Sequence, residues 1–282
     1  MLTPTEQQAS APQTPRVSVV IVSIDRKDSL LRSLQTLDGS PHQMVVVDNG
    51  SRDGSAELSE EFPSIRFSKL PKNFGLTKAL NVGLRAAEGE YLLCLHDDVR
   101  ISPEDVTALA DYLEAHPEVG AVAPILVTED DLPAPQVRAL PTPSDPDPIF
   151  QPAPRESATT VECVLGAAIM FRAFFLRALR QIDERYGTYG SDIEICAQIK
   201  RSGKKIVILG DTAAVHLALP SPVYKNVLEG DRVSGTAEFL GKHSGFAAGL
   251  MYRLKAALRA LFTFRFSALA GAVGGQKIDG AG

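Results

Sequence analysis

Apolar residues fall in two rhythms along this chain, and their alternation predicts its architecture. Val17–Ile24 (VSVVIVSI) is a β-branched run ending in Asp25-Arg26-Lys27, after which Leu30, Leu31, Leu34 and Leu37 recur at helical spacing. That pattern reads as strand, loop, helix. Gln43–Val47 is the next strand and closes on Asp48-Asn49-Gly50-Ser51-Arg52-Asp53-Gly54, where Asn-Gly and Asp-Gly mark turns before a helix near 55–62. Ile65–Leu70 is a third strand. The helix after it, Gly75–Ala87, sets Leu76, Ala79, Leu80, Gly83, Leu84 and Ala87 on one face. It leads into Tyr91–Leu95, a short apolar run that reads as a buried strand and stops at His96-Asp97-Asp98. Four strands alternating with helices predict an α/β fold with a mostly parallel central sheet flanked by helices.

In the second half, Pro103 opens a helix running to His116, and Val119–Val127 is another strand. Residues 128–158 hold eight prolines and no periodicity. A stretch this long is expected to be a binding loop, a lid or disorder. Val161–Phe171 restores order, with Gly166-Ala167-Ala168 small enough for a ligand or another backbone to come close. Phe174–Ile182 is expected to be helical. Beyond the polar loop 183–190, Ser191 is the expected N-cap of a helix over 193–201 that Gly203 ends. Lys205–Leu209 and Thr212–Val215 read as two short strands, the second ending at His216.

Past Ser221 the chain becomes helical. Residues 249–266 are strongly amphipathic, with Leu250, Leu254, Ala257, Leu258, Leu261 and Phe264 on one face, Lys255 and Arg259 opposite, and no acid. This composition suits peripheral contact with an anionic membrane surface, the helix lying flat. Packing of the stripe on the domain is the alternative. The expected organisation is a disordered tail over 1–16, one domain over 17–245, and a C-terminal extension of amphipathic helix and flexible tail over 246–282.

Composition changes this picture only by exclusion. A chain of 282 residues, 44% hydrophobic and 22% charged, is an ordinary globular protein. Its net charge of −5 argues against nucleic acid as a partner. Cys94, Cys163 and Cys196 are far apart in apolar segments and read as small buried hydrophobes in a reducing compartment. The first sixteen residues lack the apolar core of a secretory signal, and no run is long enough to span a membrane. A cytoplasmic location, peripheral at the inner face of the membrane, is expected.

The candidate chemistry centres on His96-Asp97-Asp98. Adjacent acids ending a buried strand repel one another, and desolvation adds to their cost. A divalent cation carrying a diphosphate would satisfy them, at the strand ends where ligands of open α/β sheets gather; a solvated turn is the alternative. The first loop has no glycine, which counts against a dinucleotide fold and against a nucleotidyltransferase.

Together, VVIVSIDR (19–26), VVVDNGSRDGS (45–55), NFGLTKALNVGLRAAEGEYLLCLHDDV (73–99), LGAAIMFR (165–172), DERYGTYGSDIEICAQIKRSGKKI (183–206) and AAVH (213–216) resemble family 2 glycosyltransferases of the GT-A fold. The likeness is greatest to bacterial enzymes that add rhamnose and related sugars to cell-surface polysaccharides. The resemblance implies an inverting, metal-dependent transferase moving a sugar from a UDP- or dTDP-linked donor to a glycan or lipid-linked glycan. It implies Asp192 as catalytic base; Asp25, Asp48, Asn73, Asn81, Asp97 and Asp98 as donor-binding; and Asp98 with His216 as ligands of Mg2+ or Mn2+. Asp48 would accept a hydrogen bond from the pyrimidine imide N–H. Asp25 is at least as readily a turn acid, and Asn81 more readily a brace. Two positions depart from the family pattern. His96 stands where the metal motif has its first acid, so that either Asp97 substitutes or Asp98 has fewer protein partners, and Ser191 stands where a glutamate precedes the base. The rival reading is a relative that binds nucleotide sugars without transferring them.

Overall fold

The computed structural model describes residues 14–222, 225–263 and 273. The first half unfolds in the expected order: β1 (Val17–Ser23), α1 (Lys27–Leu37), β2 (Gln43–Asp48), a 3-10 turn running into α2 (Leu58–Glu61), β3 (Arg66–Lys69), α3 (Leu76–Ala86), β4 (Tyr91–His96). A short strand, β5 (Val99–Ile101), follows the His96-Asp97-Asp98 turn. Then come α4 (Pro103–Ala115), β6 (Val119–Val127), β7 (Pro135–Arg138), β8 (Gln151–Pro152), β9 (Thr159–Val161), β10 (Cys163–Val164) and β11 (Ala168–Arg172). The chain continues through α5 (Ala173–Ala178), α6 (Ser191–Arg201), β12 (Lys205–His216), α7 (Lys225–Ser244) and α8 (Phe246–Phe262).

The central sheet runs β3-β2-β1-β4-β11-β6-β12-β5, with β9 also paired to β12. The sheet is mixed rather than mostly parallel. β3, β2, β1 and β4 are parallel, as their helical crossovers require. β11 enters antiparallel between β4 and β6, and β5 and β9 lie antiparallel to β12.

Alternation along β1 divides the core. Val19 and Ile21 pack with Leu30 and Leu34 of α1 and Val106 and Leu109 of α4, while Val20 packs with Leu84 of α3 and Ile193 of α6. The capping of α4 is local. Ser102 Oγ accepts from Asp105 N at 3.0 Å, and Pro103 sits at the first helical position. The three cysteines are buried free thiols.

Several expectations need correction. Arg16, placed in the tail, is pinned to the body, because its guanidinium pairs with Asp111 and Glu114 and its carbonyl accepts from Tyr91 N at 3.0 Å. Residues 1–13 lie outside the described residues. The stretch 128–158 is mostly irregular but contains two short strands, β7 and β8, which form a small antiparallel sheet with β10. Its clamp is Gln136, fully buried, whose amide donates to Pro124 O and accepts from Leu126 N. The two expected strands at 205–215 are one, β12, with an irregular register between Leu209 and Ala213. Gly190 rather than Ser191 caps α6, at φ 98°, where a Cβ would meet the Tyr186 ring at 2.7 Å.

Beyond β12 the chain forms a helix pair, α7 at the end of the expected domain and α8 in the expected extension. Asp231 of α7 accepts from Thr188 N and Tyr189 N, and Lys242 and His243 bond buried Glu194 of α6. The apolar stripe of α8 does not pack on the domain. Phe246, Leu250, Met251, Leu254, Leu258, Leu261 and Phe262 are all exposed. Phe264 and the rest of the tail, Val273 excepted, lie outside the described residues. No helix among the described residues is long and apolar enough to cross a membrane.

Candidate functional site

Three adjoining cavities lie at the carboxyl ends of the central strands. The first, about 180 Å³, is walled by the loops that follow β1 and β2 and by the segment 70–73. Asp48 ends β2 fully buried. Its Oδ1 accepts from Gly50 N at 2.9 Å and Ser51 N at 2.7 Å, while Oδ2 is buried with no protein partner. Gly50, at φ 86°, permits this turn, and a Cβ there would run into the backbone of Lys72 at 2.5 Å. Asp25 takes a left-handed conformation and spends Oδ1 on Arg52 N at 2.6 Å, which holds the turn. Asn73 Oδ1 accepts from Asn49 Nδ2 and Gly75 N, each at 2.9 Å, and so fixes the entry to α3.

The second cavity, about 370 Å³, shares Ile24 and Asn73 with the first and is bordered by the end of β4 and the chain beyond β12. Two strands create the cluster found here. β5 pairs antiparallel with the end of β12, setting His216 opposite Val99 and therefore beside His96 and Asp98. One ligand-type atom from each of His96, Asp98 and His216 lies within 4.8 Å of the others. Asp98 Oδ2 accepts from Leu219 N at 2.9 Å and pairs with Arg26 Nη1 at 3.1 Å. Its Oδ1 is buried without a hydrogen bond, 3.6 Å from His216 Nε2 and 4.0 Å from His96 Nδ1. A buried carboxylate oxygen without a hydrogen bond, faced by two imidazole nitrogens, suits a divalent cation. Burial pushes the His96 imidazole down to about 4 and lowers His216 as well, favouring the neutral form that ligates metal.

Asp97, the other acid of the turn, has its carboxylate engaged within the protein. Its oxygens are engaged by Ser23 Oγ at 2.8 Å and Arg26 Nη1 at 3.2 Å, and burial raises its carboxyl to about 6. His96 joins the cluster instead. The residue treated as a departure from the family pattern is thus one of three candidate ligands, and its adjacency to His216 was hidden until the pairing of β5 with β12 was known.

The third cavity, about 160 Å³ and mostly apolar, shares His96, Leu165 and Thr188 with the second. Asp192 opens on it from the first turn of α6. Gly166 lies so close that a Cβ there would stand 3.2 Å from Asp192 Cβ. Burial raises the Asp192 carboxyl, opposed by the positive charge of Arg138. Arg138 comes from the stretch read as a loop. It is buried, its guanidinium lies 4.3 Å from the Phe150 ring centroid, and Nη1 donates to Tyr189 Oη at 3.1 Å. Phe150 and Tyr189 both line the cavity with Asp192. Neither Arg138 nor Arg26 was singled out from sequence, because nothing local distinguishes a buried arginine from a surface one.

Asn81 does not line any of these three cavities. Its Nδ2 donates to Ile182 O at 2.8 Å and Glu184 Oε1 at 3.0 Å, its Oδ1 accepts from Ile182 N, and it borders a further cavity of about 360 Å³ that shares Ile182 and Ile195 with the third. Both ends of its amide are thus committed to the 182–184 segment, which is the bracing arrangement.

The family described as Glycosyl transferase family 2 matches residues 18–180. Over 230 residues, 72% of this chain and 75% of the relative, the sequence is 23% identical to N-acetylglucosaminyl-diphospho-decaprenol L-rhamnosyltransferase of Mycobacterium tuberculosis. Among solved structures, GalNAc-T7 with UDP, GalNAc and Mn2+ matches 82% of this chain and 48% of its own, with a TM-score of 0.64 and 14% identity. TarS 1-349 of S. aureus in complex with UDP matches 92% of this chain and 80% of its own, with a TM-score of 0.58 and 19% identity. The fold is therefore that of the GT-A glycosyltransferases.

Proposed function

The chain belongs to glycosyl transferase family 2 and is an enzyme of glycosyl transfer; from that premise we propose that it moves a sugar from a UDP- or dTDP-linked donor, with inversion, onto a glycan or lipid-linked glycan of the cell envelope. The observation that carries the reading is the continuity of the trough. Asp98 and Asp192 open on adjoining cavities that share His96, Leu165 and Thr188, with the nucleotide end at Ile24 and Asn73 beyond. The likeness to a rhamnosyltransferase acting on a diphospho-decaprenol supports the lipid-linked acceptor, with rhamnose as the sugar of first choice.

In this reading Asp48 Oδ2 accepts the imide N–H of the pyrimidine, the one donor that its buried orphan position lacks. Asn73 and the Asp25 turn shape the wall beside the base. A divalent ion, Mg2+ or Mn2+, would be held by Asp98, His216 and His96 and would supply positive charge for the departing diphosphate. Asp192 takes the proton of the acceptor hydroxyl as that oxygen attacks the anomeric carbon from the face opposite the nucleotide. An aspartate raised by burial is a better base than an exposed one, and the apolar walls hold the attacking oxygen and exclude competing water. The exposed apolar stripe of α8, with Arg253, Lys255 and Arg259, would bring the enzyme to an anionic membrane where a lipid-linked acceptor resides.

The test is label transfer by the pure protein from UDP- and dTDP-sugars to a cell-envelope acceptor fraction with Mn2+. Transfer that disappears in Asp192→Asn supports the reading. Tight donor binding with neither transfer nor donor hydrolysis would instead favour a binding protein.

A further inference from the structure

The donor set at the head of the trough joins one carboxylate to two imidazoles, and one of the imidazoles, His96, stands where the family's metal motif has its first acid. His96 and His216 bring imidazole nitrogens, and Asp98 brings the one carboxylate. The neighbouring acid that could have supplied a second oxygen, Asp97, is held by Ser23 and Arg26. The two imidazole rings meet edge-on, centroids 6.2 Å apart and planes 70° apart, so they do not stack. Asp98 Oδ1 lies within 4.0 Å of a nitrogen of each. Arg26 already neutralises part of the carboxylate charge on the other oxygen of Asp98.

Mg2+ is a hard ion that keeps water and anionic oxygen around it, and it gains little from two neutral nitrogens. First-row transition ions accept imidazole readily, and two histidines with one carboxylate leave coordination positions open on such an ion. From this geometry we infer that the site is selective for a first-row transition ion such as Mn2+ or Co2+ over Mg2+, and that His96 is the residue that sets this preference. The inference rests on the metal-dependent reading given above. It concerns the ion itself, independent of which sugar is carried.

Metal-stripped full-length protein, titrated calorimetrically with Mg2+, Mn2+ and Co2+ with and without UDP, tests it. Co2+ and Mn2+ are expected to bind at least about tenfold more tightly than Mg2+, and His96→Asp to shrink that ratio by about tenfold or more while strengthening Mg2+. Pulsed EPR of the Mn2+ complex gives a readout that needs no variant, and nitrogen coupling from imidazole is expected. Equal affinity for Mg2+ and Mn2+, no nitrogen coupling in either condition, or an unchanged ratio in a folded His96→Asp overturns the inference. Should Mn2+ bind with nitrogen coupling while UDP leaves its affinity unchanged, the site stands and the nucleotide-sugar reading falls.

Discussion

Arg26 Nη1 lies 3.1 Å from Asp98 Oδ2 in a site where both side chains are largely buried. The same nitrogen reaches Asp97 Oδ1 at 3.2 Å, and Nη2 donates to Leu219 O and Pro220 O at 2.8 Å. One guanidinium thus balances two acids and ties the chain beyond β12 to the start of α1. Arg26→Met should leave both carboxylates without that cation and cost on the order of 3 kcal/mol in metal-free protein, the usual scale for breaking a buried ion pair. Thermal unfolding with and without Mn2+ checks this. Added metal should recover part of the loss, because it restores positive charge beside Asp98.

Asp48 presents one oxygen to its own turn and one to nothing in the protein. Asp48→Asn can keep the turn through the carbonyl oxygen and place an NH2 where an acceptor is needed. UDP affinity should fall roughly tenfold to a hundredfold, the value of one hydrogen bond to a charged group, with little change in melting temperature. Calorimetric titration of UDP decides it. A loss of stability matching the loss of affinity would show the residue to be structural only.

What could be read from sequence followed from how local each signal was. β1, β2 and β4 are buried on both faces, so continuous runs such as VSVVIV and YLLCL announce them whatever their partners. The insertion of β11 antiparallel beside β4 leaves no such trace, because strand direction is fixed by contacts made far along the chain. Arg138 was invisible for a related reason. A cation in a proline-rich segment looks solvated until Phe150 and Tyr189 close over it. Asp98, Asp192 and His216 were singled out because they stand in motifs, whereas His96 was set aside because its residue type broke one.

The carboxyl of Asp192 is raised by burial, an effect that Arg138 partly offsets. A base must be ionised to act, so kcat/KM should climb tenfold per pH unit on the acid side and level off above the raised pKa, beyond the ordinary aspartate value of about 3.9. Asp192→Asn should remove about a hundredfold to ten-thousandfold of the rate. Arg138→Met should move the acid limb to higher pH, since the cation favouring the carboxylate is gone. A pH profile of transfer measures all three, and an unmoved limb would uncouple Arg138 from Asp192.

Asp183 carries the opposite shift. Burial alone would raise it, but hydrogen bonds from the Arg185 side chain and backbone and from Lys242 hold it well below the usual carboxylate range. A depressed pKa means stability that is present above the unfolded value, about 3.9, and is lost as pH falls toward the folded one. Because the pair is partly exposed, Asp183→Asn should cost about 1 kcal/mol or less at neutral pH. The gap in melting temperature between the two proteins should close as pH drops below about 4. A gap independent of pH would mean that the side chain contributes by shape, not charge.

The stripe on α8 faces solvent, and its charge suggests what could cover it. Leu254 and Leu258 are 50% and 54% exposed, Phe246 and Phe262 more so, on a helix whose charged residues are Arg253, Lys255 and Arg259. An anionic bilayer answers both features at once, taking the apolar side chains below the headgroups while phosphates meet the cations. The helix is also joined to the Asp192 end of the trough. Tyr252 Oη donates to Asp147 Oδ2 at 2.7 Å, in the same segment that carries Phe150 to the cavity of Asp192. Flotation with phosphatidylglycerol vesicles should therefore recover the native protein and fail with phosphatidylcholine alone. Replacing the three cations by Gln should cost about 3 kcal/mol of membrane affinity, roughly a hundredfold, at about 1 kcal/mol each. Leu254→Glu with Leu258→Glu should abolish flotation while leaving transfer to a water-soluble acceptor unchanged. Equal recovery on neutral vesicles, or a dimer in solution that the two glutamates split, would assign the stripe to a different surface.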